Sequence, residues 1–387
     1  MQQNNEIVIE QALKPVWKML DRQENKYVGA EMTNAPIDQN CPDFFQHLNF
    51  KWIYTTMATV GIGILEKKKM YKIAIERLQQ LLGGIFCNDR RGYWWIRFST
   101  DLEHLKRLSD SLEIAETGLA DPHIDEEDIL TLRKRVLKLS KPPRRWTKPI
   151  WMKEVLREPR VVEIEARPLN NYRGERSRFY GYNEIICSVE ELAIQHYALQ
   201  YGFKGIHSES SIWTTLFSLI MFDAIFQPDI PDVFCTPFQT APLDFGYASF
   251  YESRKASIDS IIDDVKNGGA ARRVELSWNE NHGTMVRGIN WNLLPLEELL
   301  QIVHCVDPIC MAAICRALAV NGSNWSSGMP DLLLWHPEAS KAKLVEVKGP
   351  RDSLSDKQRV WLSYLEDAGM PVEVLKVQEP SRKKSKK

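Results

Sequence analysis

PDLLLWHPEASKAKLVEVKGP, residues 330–350, holds two apolar runs separated by a short polar turn. The first run, PDLLLWHP, reads as a strand, PEAS as a turn and KAKLVEVKG as a second strand, so the stretch predicts a hairpin. Side chains on a strand alternate between faces, which sets Glu346 and Lys348 on one face with Val347 between them on the other. A carboxylate and an ammonium at the end of a run that wants burial are costly to desolvate without a partner or a task. A structural ion pair is one explanation, and Glu-x-Lys in a strand is by itself a weak signal.

The surroundings sharpen it. LSDKQRVWLSYLEDAG predicts a helix capped by Ser355, with Gln358, Trp361, Leu362 and Leu365 on one stripe and Gly369 at its end. MPVEVLKV then predicts a third strand, parallel to the one before the helix because a crossover connects them. If the hairpin register brings Asp331 opposite Glu346, both acids can converge on one divalent cation, and the carbonyl of Val347 is available to it. Lys348 can then polarise an attacking water and stabilise developing negative charge, which is the chemistry of phosphodiester hydrolysis.

Upstream, residues 50–140 are helical in pattern. KWIYTTMATVGIGILEKKKMYKIAIERLQQLL predicts two amphipathic helices closed by Gly83 and Gly84. A second pair follows, with Leu102, Leu105 and Leu108 on one stripe and Leu112, Ala115 and Leu119 on the next. Asp121-Pro122 ends that pair, and a further helix spans 126–139. Such pairs are similar to a tetratricopeptide array. Residues 133–178 are rich in Arg and Lys, interleaved with Trp146, Trp151, Tyr172, Phe179 and Tyr180, a pattern that suits either phosphate contact or a solvated linker. Ser188 is expected to cap a helix running to Gly202, and Ser208 or Ser210 to cap a long buried helix. Glu209, at the start of that helix, reads on spacing alone as a dipole partner more readily than as a ligand.

The chain has 387 residues, room for two or three domains. A net charge of −1 leaves a nucleic-acid partner neither favoured nor excluded. No secretory pattern opens the sequence, and the longest apolar run, 212–226, is too short to cross a membrane. Seven scattered cysteines form no CxxC pair and no zinc spacing, so free buried thiols are expected. The tail SRKKSKK (381–387) reads as a solubilising end, a nuclear-import signal or a phosphate-binding arm.

Pro330-Asp331 with Glu346-Val347-Lys348 resembles the signature of the PD-(D/E)XK nuclease superfamily. GMPDL (328–332), LVEVKGP (344–350), LSDKQRVWL (354–362) and VEV (372–374) are similar to the virus-type replication-repair nuclease domain of the Fanconi-associated nuclease family. GLADP (118–122), SVEELA (188–193), GIHSESS (205–211), IPDVF (230–234) and PLD (242–244) extend the likeness over residues 80–378. The resemblance implies an α/β nuclease core, a restriction-endonuclease-like mixed sheet flanked by helices, preceded by an all-α tetratricopeptide-like region. The expected divisions are an N-terminal segment (1–45), the helical region with its basic linker (46–187), the nuclease domain (188–378) and the basic tail (379–387).

The implied activity is a structure-specific DNA endonuclease at 5′ flaps with 5′→3′ exonuclease activity, acting in interstrand-crosslink repair in the nucleus. Branched or flapped DNA and crosslink-repair proteins are the implied partners, and Mg²⁺ or Mn²⁺ the implied cofactor. Residue by residue, Asp331, Glu346 and Lys348 carry over as catalytic, Glu209, Asp331, Glu346 and Val347 as metal-binding, and Gln358 as supporting. Arg90, Arg91, Arg144, Arg145, Lys148, Arg176, Arg178 and Lys357 are the candidate DNA contacts. Longer members carry a ubiquitin-binding zinc finger and a SAP domain, and neither pattern occurs in these residues. The alternatives are a catalytically weak DNA-binding or docking module on the same fold, and a phage-type or Holliday-junction nuclease.

Overall fold

The computed structural model describes residues 11–19, 44–45, 50–84, 87–169, 178–182, 184–207, 209–350 and 352–380. The chain divides into two compact units, residues 1–157 and 158–387. The division falls thirty residues before the expected one at 187/188, because the segment read as a linker contributes a strand to the second unit's sheet.

The first unit is helical: α1 (11–19), α2 (Phe50–Lys67), α3 (Tyr71–Leu82), α4 (Arg91–His104), α5 (Leu108–Leu119), α6 (Glu126–Leu139) and the short α7 (Met152–Val155). The helix ends follow local chemistry. α3 stops before Gly83, α5 stops ahead of Asp121-Pro122, and Asp125 caps α6 by accepting from the Asp128 amide. Successive helices pack through Leu78, Trp94, Phe98 and Leu102 in one cluster and Leu112, Ala115, Leu132 and Val136 in the next. Asp121 ties the turn after α5 to α4: it accepts from Arg91 Nε at 2.7 Å and Trp95 Nε1 at 2.8 Å of that helix, and from the His123 amide of its own turn at 3.0 Å.

The second unit runs β1 (Val161–Glu165), β2 (Phe179–Tyr180), β3 (Ile186–Cys187), α8 (Val189–Tyr201), β4 (Lys204–His207), α9 (Ser211–Ile220), α10 (Phe222–Ile225), α11 (Ala248–Ser253), α12 (Lys255–Lys266), α13 (Ala270–Asn281), α14 (Leu296–Cys305), α15 (Pro308–Trp325), β5 (Leu332–His336), β6 (Lys341–Lys348), α16 (Asp356–Asp367) and β7 (Val372–Gln378). Five strands form a mixed sheet in the order β1-β7-β6-β5-β4. β5 and β6 are the expected antiparallel hairpin, and β7 lies parallel to β6 as the crossover through α16 requires. β1 adds parallel to β7, and β4 antiparallel to β5. Both edge strands were absent from the sequence reading.

Strand alternation separates two cores. Leu332, Leu334, Val345, Val347 and Leu375 pack with Ala193 and Tyr197 of α8. Leu333, Trp335, Leu344 and Val374 pack into the larger cluster with Trp361, Leu362 and Leu365 of α16 and the apolar residues of α9, α12, α14 and α15. A restriction-endonuclease-like mixed sheet covered by helices is thus the observed architecture, with a helical array before it in the chain. The run read as one long helix over 212–226 breaks at Met221 into α9 and α10. Ser188 caps α8 with a capping box to Glu191, and Gly202 closes it at φ +71°. Cys87, Cys187, Cys305, Cys310 and Cys315 are buried free thiols as expected, Cys235 is exposed, and Cys41 lies outside the described residues. Among the described residues, no single helix is long and apolar enough to cross a membrane.

One buried acid makes the helical unit's stability depend on pH. Asp101 on α4 is fully buried and neither of its oxygens receives a hydrogen bond. Burial, then the nearby Glu66 carboxylate, pushes its pKa up to about 7, against the opposing pull of Arg97. The unfolded chain releases this proton near pH 4 and the folded one near 7, so the group costs stability increasingly as pH rises across that interval. Asp101→Asn should therefore raise the thermal midpoint at pH 8, by several degrees, with the gain shrinking towards zero at pH 4. Thermal unfolding across that pH range measures it.

Candidate active site

Register decides the geometry of the site. Leu332 pairs with Val345, so the next residue out on each strand sets Asp331 opposite Glu346. Asp331 lies one residue beyond the end of β5, and its Oδ2 accepts from the Val347 amide at 2.8 Å, so a side chain continues the ladder where the strand stops. Gly328, three residues earlier, has φ +82°. A Cβ there would stand 2.8 Å from Lys357 Cγ, which explains why a glycine precedes the Pro-Asp pair. Trp361 Nε1 donates to the Ser327 carbonyl at 3.0 Å and fixes the same segment from α16.

Glu346 is fully buried. Its Oε1 accepts from Lys348 Nζ at 2.8 Å and from Gln358 Nε2 at 2.6 Å. Gln358 serves two purposes at once, because its Oε1 accepts from the Ser355 amide at 2.9 Å and completes the capping box of α16. The same residue that starts the helix orients the acid. Glu346 Oε2 is buried with no hydrogen-bond partner. Burial, with the Asp331 charge added to it, raises the Glu346 pKa to about 8, against Lys348. Burial also raises Asp331, opposed by the Val347 amide and Lys348.

Glu209 lies in the turn between β4 and α9 rather than in the helix, with φ +46°. Ser210 occupies the N-cap position of α9 but makes no side-chain cap. Its hydroxyl donates to the Ser326 carbonyl at 2.6 Å, bracing the segment that leads to Asp331. Ligand atoms of His207, Glu209 and Asp331 all lie within 4.8 Å of one another. His207, the last residue of β4, was not singled out in the sequence, and a lone histidine offers no periodicity to betray it. Glu346 is not one of that trio but interacts directly with Asp331, so Asp331 is the shared member of two acidic groupings. A divalent cation fits this donor set: hard oxygen donors converge beside an orphaned, fully buried carboxylate oxygen.

Comparison with known proteins agrees with this geometry. A VRR-NUC domain profile matches residues 266–379, and the profile of the Fanconi-associated nuclease 1 TPR domain matches residues 11–140. The chain belongs to the Fanconi-associated nuclease family. The Fanconi-associated nuclease 1 homolog of Oryza sativa is 42% identical over 383 residues, covering 96% of this chain and 39% of the rice protein. Human Fanconi-associated nuclease 1 is 33% identical over 357 residues, covering 88% of this chain and 35% of its own length. This chain therefore spans about two-fifths or less of those relatives. The fold is also that of paFAN1, solved in complex with a 2-nucleotide 5′ flap DNA with a gap, at a TM-score of 0.70 and 21% identity over 95% of this chain and 62% of the other.

The candidate DNA contacts of this family member divide by what already holds them. Arg91 is engaged with the fold: besides Asp121, it donates to the carbonyls of Leu82 at 2.9 Å and Gly84 at 3.3 Å. Arg145 pairs with Glu116, and Arg144 Nε donates to the Leu139 carbonyl at 2.9 Å. Elsewhere in the basic run, Arg133 pairs with Glu154, and Arg135 and Lys138 both pair with Glu103. Much of the apparent positive excess is thus matched inside the first unit. Of the aromatics there, Trp146 is exposed, Trp151 lies under Arg133 and Phe179 is buried, while Tyr172 and Arg176 lie outside the described residues. Arg90 and Lys357 are half-buried, with Arg90 Nε unpartnered, whereas Lys148 and Arg178 are exposed.

The raised Glu346 pKa sets a pH dependence for metal binding. With its pKa near 8, Glu346 carries a proton at pH 7 that must leave when a cation engages the carboxylate. Divalent-metal affinity should accordingly fall as pH drops below 8, by up to about tenfold per pH unit. Titration calorimetry at pH 7 in buffers of different ionisation enthalpy should register close to one proton released per ion bound.

Proposed function

We propose that this chain is a divalent-metal-dependent, structure-specific DNA nuclease that hydrolyses phosphodiester bonds at 5′ flaps and branched DNA, with 5′→3′ exonuclease activity. The carrying observation is the buried Asp331–Glu346–Lys348 arrangement, with its orphaned Glu346 oxygen, inside the region matched by the VRR-NUC profile. The relatives' name supports a role in interstrand-crosslink repair, and with it a nuclear location and crosslink-repair partners. The paFAN1 complexes support flapped DNA as the substrate.

Asp331, Glu209, Glu346 and the Val347 carbonyl are the groups that would hold Mg²⁺ or Mn²⁺. When bound, the cation neutralises phosphoryl charge and makes a coordinated water more acidic. Asp331 is aligned for this by the Val347 amide, and Glu346 by Gln358. Lys348, whose ammonium lies 2.8 Å from Glu346 Oε1 and is only 13% exposed, orients the attacking water and donates to the negative charge that builds on the phosphoryl oxygens. Gln358 keeps Glu346 in one rotamer, so its role is positioning. Arg90, Lys148, Arg178 and Lys357 are among the candidates for backbone contacts, and each would contribute a salt-sensitive share of affinity.

A labelled 5′-flap duplex with Mn²⁺ tests this directly. Wild type should cut, and Asp331→Ala and Lys348→Ala should each lose about 10²- to 10⁴-fold in rate while still binding the flap. Cutting retained in both variants removes the hydrolytic reading. Salt-sensitive binding with no metal-dependent product in wild type would instead leave a docking module on a nuclease fold.

A further inference from the structure

The open side of the site holds a nitrogen donor alongside the acids. His207 ends β4 and is exposed, and its ring nitrogen, a Glu209 carboxylate oxygen and an Asp331 carboxylate oxygen lie within 4.8 Å of one another. Among the described residues neither His207 nor Glu209 has a hydrogen-bond partner for its side chain. Glu346, which interacts with Asp331 of this cluster, is fully buried and carries an oxygen with no hydrogen-bond partner. An exposed histidine at a strand end is ordinarily a solvated one. Here two acids at ligand spacing and a desolvated orphan oxygen beside them set it apart.

We propose that His207 supplies an imidazole ligand to the cation held by Glu209 and Asp331, and that this nitrogen biases the site towards Mn²⁺ over Mg²⁺. The proposal rests on the metal-dependent reading above and adds a ligand to it. Magnesium takes oxygen donors almost exclusively and keeps much of its water, so it gains little from an imidazole. First-row transition ions accept imidazole readily. The ring is placed for this by backbone pairing, since His207 is in register with Leu332 and so sits beside the residue that follows Asp331. Glu209 reaches the same point from the turn before α9.

Pulsed electron paramagnetic resonance on Mn²⁺ bound to the whole chain reads the ligand without any turnover. Wild type should show ¹⁴N coupling of imidazole type, converted to the ¹⁵N pattern when histidine alone is labelled, and His207→Ala should lose it. By calorimetry, the same substitution should weaken Mn²⁺ about tenfold and Mg²⁺ by less than about twofold. Because His207 is exposed, the thermal midpoint of the metal-free variant should match wild type. Mn²⁺ bound without nitrogen coupling, or with coupling that survives His207→Ala, overturns the proposal and leaves the metal-dependent reading standing. Failure of wild type to bind Mn²⁺ overturns both.

Discussion

A carboxyl group with no access to water, Glu346, is the constraint that the second unit is arranged around. Its strand is the middle of a five-stranded sheet, and the pleat turns it towards the helices rather than towards solvent. Leaving such a group uncompensated would cost several kcal/mol. Compensation comes from two directions: the ammonium of Lys348 two residues along, and the amide of Gln358 from the first turn of α16. One oxygen is satisfied by both, and the other by neither. That imbalance is what a cation relieves, which links the energetics of the empty fold to its chemistry.

The parts that hold Glu346 are also the parts that hold Asp331. α16 fixes Gln358 through its own capping box, and through Trp361 it fixes the carbonyl of Ser327 ahead of Asp331. Ser210 takes hold of the next carbonyl, Ser326, from the turn that carries Glu209. Asp331 is thus held by a backbone amide and Glu346 by the side chains of Lys348 and Gln358, while the segments that carry Asp331 and Glu209 are tied together through the Ser326 carbonyl.

Much of this was legible in residues whose signals are local. Alternation gave the hairpin its faces, Ser355 and Gly369 bounded the helix, and a short crossover made β7 parallel to β6. What stayed hidden depends on partners distant in the chain. β4 is four residues of mixed exposure with no strand signature of its own; β1, Val-Val-Glu-Ile-Glu, does alternate, but over five residues within the basic run, and both strands take their place from the edges that the hairpin and β7 offer. His207 acquires meaning only through that pairing. That Arg91 is held by Asp121, thirty residues later, is likewise invisible in its own stretch of sequence. Ser210 had the residue type and place of a cap, yet its hydroxyl found the better acceptor more than a hundred residues away.

The sheet's order has a temporal side. Glu209 and His207 leave the ribosome long before Asp331 and Glu346, and the strand that carries them, β4, has only β5 to pair with in the sheet. Until the hairpin arrives, the early half of the site has no edge to join and no shared acid to gather around. The acidic cluster of His207, Glu209 and Asp331 therefore exists only in a chain long enough to include the hairpin, and no shorter N-terminal piece can assemble it.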